Sequence, residues 1–155
     1  MTSPASKTER HARLTAAMQR AGCTDPTDWV NSEVREDLPQ FARFLMLREV
    51  HTLADAVDDA LEETLFDRPD LEQTLATARK AVGAEALDAL LLAYGKTLGN
   101  SFVMVLDDGP SVQGEDIPGW QLVETDAEAE PTGRLVQGLH EDYPDFEGAY
   151  VRDAD

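Results

Sequence analysis

His51, Asp55, Asp58 and Glu62 recur at i, i+4, i+7 and i+11 in a stretch free of glycine and proline. On an α-helix those spacings cover roughly 60° of arc, so an imidazole and three carboxylates would stand in line beside an apolar face. Such a set could ligate a divalent metal with one position open for water, the chemistry of a metal-dependent hydrolase built inside a helical bundle. Enzymes of that kind complete the site from facing helices, and the remaining helices here offer scattered acids without a second His-carboxylate pair. A line of polar residues opposite an apolar stripe is also the solvated side of any amphipathic helix, and this simpler reading is preferred. No cofactor is expected.

A second cluster, His140-Glu141-Asp142-Tyr143, surrounds an imidazole with carboxylates that would hold its proton, without a nucleophile beside it. Asp107, Asp108, Glu115 and Asp116 could face calcium, but the regular spacing of an EF-hand loop is missing. Gly95-Lys96-Thr97 ends like a phosphate-binding loop, yet Leu90 stands where the first glycine is required. Gly95 and Gly99, four residues apart, are better read as a place where a neighbouring helix approaches closely. The single cysteine, Cys23, follows Gly22 at an expected helix end and lacks the cationic surroundings of a reactive thiol. His11 has no evident partner.

The elements that must position these residues can be read from periodicity. Ser6 and Glu9 have capping-box spacing and open a first helix over about residues 7–21, closed by Gly22. Asp25-Pro26 starts a short second helix with Trp29, Val30 and Val34 on one side, ending near Leu38-Pro39. Pro39 opens a third, expected to run unbroken to about Phe66, with its first turns deepest in the core. Its Phe44, Leu47, Val50, Leu53 and Val57 are expected to be buried. A fourth, restarting at Asp67-Arg68-Pro69-Asp70, ends at Gly83, and a fifth runs from Ala84 to Leu106 as a core helix burying Tyr94, Leu98 and Phe102. Asp88, Lys96 and Asn100 argue against a membrane span there. Beyond Leu106, Trp120–Glu124 and Gly133–Gln137 suggest a small hairpin leaning on the helices through Trp120 and Leu122. Tyr143, Phe146 and Tyr150 should dock the tail.

The expected fold is therefore mainly α: one domain over residues 1–155, a compact bundle of four to five helices over about 6–106, then an acidic loop, hairpin and docked tail over about 107–155. With one cysteine and a polar N-terminus lacking an apolar signal stretch, a cytoplasmic setting is expected. The formal charge of −18 is uneven: residues 107–155 hold 14 acidic and two basic side chains, residues 1–106 hold 17 and 11. That field disfavours nucleic acid and anionic membrane surfaces, and any electrostatically steered partner should be basic; the same excess would also serve solubility or life in high salt, and from composition alone solubility is the preferred reading. The expected function is a non-catalytic interaction protein of the inhibitor or immunity type, meeting its partner through Glu124, Asp126, Glu128 and Glu130. The metal-dependent hydrolase on His51, Asp55, Asp58 and Glu62 is the alternative.

Overall fold

A computed structural model describes residues 4–110 and 115–151. The architecture is mainly helical with one small antiparallel hairpin. Among the described residues seven α-helices run as α1 (Pro4–Arg20), α2 (Thr27–Glu36), α3 (Gln40–Asp55), α4 (Val57–Asp67), α5 (Glu72–Val82), α6 (Ala84–Asp108) and α7 (Leu139–Asp142). Strands β1 (Leu122–Thr125) and β2 (Pro131–Val136) pair with Leu122 opposite Val136, and the register slips between Val123 and Thr125. Helix α1 begins at Pro4, a residue whose missing N–H costs nothing in a first turn, so Ser6 lies inside the helix and does not cap it.

The core lies at one end of the molecule. Met18 of α1, Val30 of α2, Phe44 and Leu47 of α3, Val103 of α6 and Leu139 of α7 are fully enclosed, with Phe146 and Tyr143 of the tail among them. Phe44, Phe146 and Trp29 meet edge to face or tilted, with ring centroids 5.4 to 6.2 Å apart. The tail is tied down by backbone as well: Val151 N–H donates to the Gly22 carbonyl at 2.8 Å, and Thr24 N–H to that of Ala149 at 3.0 Å. A side chain at Gly22 would meet the Val151 carbonyl, and its φ of +85° suits glycine. The docked tail and the deep first turns of α3 match the sequence expectation.

Two expectations are corrected. The long third helix is two helices, broken at Ala56 (φ −80°, ψ +57°), whose N–H is shared between the carbonyls of Thr52 and Leu53. The break follows a backbone contact: a Cβ on Gly95 would lie 2.7 Å from the Ala54 carbonyl oxygen. The chain turns just beyond this point, where α6 and α3 touch. No glycine or proline marks the spot, so composition carried no signal for it.

The second correction concerns the expected core stripe of α6. Tyr94 is 65% exposed, Leu98 56%, Phe102 52%, and Leu53 at the end of α3 75%. Only 6% of the most apolar stretch of α6 is buried, although by length and composition alone it could cross a membrane. These side chains line an open groove of about 730 Å³ between the α3–α4 arm and α6, with Thr64 and Tyr94 its sole polar side chains. The periodicity identified an apolar face correctly; nothing in it states what covers that face.

Candidate functional site

Metal-ligand candidates on the broken helix are dispersed. His51 is buried on α3, and its Nε2 lies 2.9 Å from the Tyr143 carbonyl. A carbonyl only accepts, so Nε2 carries the proton. Burial lowers the pKa of His51, partly offset by that hydrogen bond, and its ring lies 4.3 Å from that of Tyr143. Asp55 is nearly enclosed beside Lys96, while Asp58 stands in solvent on α4, 3.7 Å from Arg79. Glu62 points to solvent as well. Among the described residues no group of three or more His, Cys, Asp or Glu is placed to hold a metal ion.

The four hairpin acids divide in a similar way. Glu124 receives Arg134 through both oxygens, Nη2 at 2.6 Å and Nε at 2.7 Å. Asp126 builds the turn, its Oδ1 accepting the N–H groups of Glu128 and Glu130 at 3.0 Å each. Glu128 and Glu130 alone face outward without a side-chain role in the fold. Arg134 continues to Glu33, a buried carboxylate on α2 that also accepts the Phe41 N–H at 2.8 Å, capping the first turn of α3. Sequence reasoning missed Glu33, since an acid in an amphipathic helix gives no sign of facing inward. His11 proves to be partnered by Asn31 at 3.2 Å, and Cys23 is buried, which raises its pKa and keeps the thiol protonated.

Carboxylates converge instead at the C-terminal end of α6. Two adjoining recesses, about 560 and 390 Å³, share Asp107, Asp108, Leu135 and Gln137 as walls. Asp107 Oδ2 accepts both the backbone N–H and Nδ1–H of His140 at 2.8 Å, which raises the pKa of that imidazole. Asp108 stands exposed in the last turn of α6, a turn without a basic residue to offset the helix's negative end. Trp120 closes the same end, its indole N–H donating to the Val105 carbonyl at 3.1 Å with 45% of the residue in solvent. Glu141 lines the far wall. The one Arg or Lys among the described lining residues, Arg43, is committed to the Gly138 carbonyl, Gln40 and Asp142.

An anionic recess with an aromatic lip is suited to hold a cationic side chain. No family model, curated protein or solved structure matches this chain.

Proposed function

We propose that the chain is a non-catalytic interaction protein that holds a basic protein partner, an arginine or lysine of which enters the two adjoining recesses that share Asp108, one walled by Trp120 and the other by Glu141. One observation carries this reading: around the end of α6 two adjoining recesses bring together exposed carboxylates, the helix's negative terminus and, in one of them, the Trp120 indole, and the one Arg or Lys among their described lining residues is already engaged. The wider surface supports it. Arg43, Arg48, Lys96 and Arg134 are each less than a third exposed and turned to carboxylates of their own chain, so these four offer little repulsion to a basic partner drawn by the −18 net charge. A stoichiometric inhibitor or immunity protein works in this manner, by fast capture of a charged partner.

Binding of an arginine-rich peptide, followed by Trp120 fluorescence, tests the reading. The parent protein should bind at low salt and weaken steeply as the Debye length falls from about 10 Å at 0.1 M to 3 Å at 1 M. Asp108→Asn with Glu141→Gln should lower affinity about tenfold, a loss of roughly 1.4 kcal/mol. Glu128→Gln with Glu130→Gln, an equal change of charge, should alter it little. Equal losses from both pairs would show a generic charge effect, and no binding at low salt would end the proposal.

A further inference from the structure

From Thr52 to Phe102 no apolar residue is buried, although the span is helical almost throughout. Helices have formed there without a core between them. The α6 wall of the groove rises into a ridge made by Leu90, Tyr94, Leu98 and Val105, each more than half exposed, of which Tyr94 and Leu98 also line the groove.

The geometry points to a second copy of this chain as the occupant of that groove, in a two-fold dimer with antiparallel α6 helices. Along α6 the ridge runs from Leu90 to Val105, ~22 Å at 1.5 Å per residue, and the groove wall from Leu91 to Phe102, ~16 Å. Their midpoints fall within about one residue of each other, near Thr97. A two-fold axis there lays the ridge of each copy into the groove of the other, the self-complementarity that an isologous interface requires.

Charge selects the same occupant. Between Ala89 and Leu106 the single charged residue is Lys96, which turns to Glu147 at 2.8 Å and Asp55 at 3.8 Å. Two chains of charge −18 can therefore meet along the ridge without opposing carboxylates, and a basic partner would find none there to pair with. Three of the hydroxyls on this face are already bonded within their helices: Thr97 donates to the Ala93 carbonyl at 3.0 Å, Ser101 to that of Thr97 at 3.0 Å and Thr64 to that of Ala60 at 2.7 Å. Their burial costs little. Six large side chains, the ridge with Leu53 and Phe102, present ~100 Å² each if half or more of their area is free, ~600 Å² before the intervening alanines are added. A standard interface takes ~800 Å² from each partner. The surface is separate from the acidic recess, so either proposal can fail alone.

Sedimentation equilibrium on the full chain, from micromolar to near-millimolar concentration, tests this. The parent protein should show twice its chain mass of 17.0 kDa, and Leu98→Glu or Tyr94→Glu should halve that mass with the helical circular dichroism unchanged. Phe66→Glu, at an 87% exposed position on the back of α4, should leave the dimer intact. Thr97→Cys in a Cys23→Ser background gives a reading that does not depend on the glutamates folding: it should form an intermolecular disulfide on mild oxidation, and Gln73→Cys should not. A parent chain that is monomeric throughout the range overturns the proposal. So does one whose mass is unaffected by Leu98→Glu, or a monomer that floats with neutral phospholipid vesicles through the same face.

Discussion

Two histidines in this chain experience opposite surroundings. His140 donates to the Asp107 carboxylate and is raised above its ordinary 6.5; His51 is enclosed by aromatic rings and lowered below it. Folding thus favours protonated His140, and that stabilisation is complete below pH 6.5 and lost as pH rises through the raised value. For His51 the neutral ring is favoured, so its contribution is present above 6.5 and lost as pH falls through the lowered value. Imidazole titration by NMR should give midpoints on opposite sides of 6.5, and His140→Gln should flatten the decline of stability on the alkaline side only. Midpoints on the same side would refute the assignment. Glu33 gives a second residue-scale prediction. Glu33→Ala strips one of the three carboxylates around Arg134 and uncaps Phe41, which should cost about 2–3 kcal/mol in urea unfolding with an unchanged m-value. A cost below half a kcal/mol would mean that Glu124 and Asp37 suffice for Arg134. At this scale the sequence marked His140 and its acids as a cluster but could not place Asp107, 33 residues away, opposite the ring.

Helix starts, stops and faces were legible because they rest on local chemistry: Gly22 and Gly83 close their helices with positive φ, and Pro39 precedes α3. The division at Ala56 was not, because no glycine or proline marks it; it lies beside the close approach of Gly95, 39 positions later in the chain. Gly95→Ala therefore tests the element scale. Propensity alone would make it stabilising by up to ~1 kcal/mol. Against that, its Cβ would lie 2.7 Å from a backbone oxygen that cannot rotate away, and a net loss of about 1–3 kcal/mol is expected. A gain in stability would show that the contact relaxes freely. Truncations along the two long helices should divide at the same place: Phe44→Ala about 3–5 kcal/mol, and Leu53→Ala in a dilute, monomeric sample below ~1 kcal/mol, because Leu53 is 75% exposed. Reading Leu53 and Leu98 as core followed from treating an apolar face as a buried one.

For the molecule as a whole, that distinction sets where the fold opens first. The aromatic core joins α1, α2, the first half of α3, the end of α6 and the tail, whereas α4 and α5 have no buried residue at all. Local opening free energy follows buried apolar contact, so a segment without any should exchange its amide hydrogens through small fluctuations, while the core waits for global unfolding. Net charge adds to the difference: α4 carries Asp58, Asp59, Glu62, Glu63 and Asp67 with no basic residue, and carboxylates on neighbouring turns repel one another. In dilute solution, peptides from α4 and α5 should exchange orders of magnitude faster than peptides from α2 and the first half of α3. Added salt should narrow the gap by screening the acids of α4. Uniform protection across both halves would mean that the arm is held by more than its own chain even at low concentration, and the distribution of stability argued from burial would have to be given up.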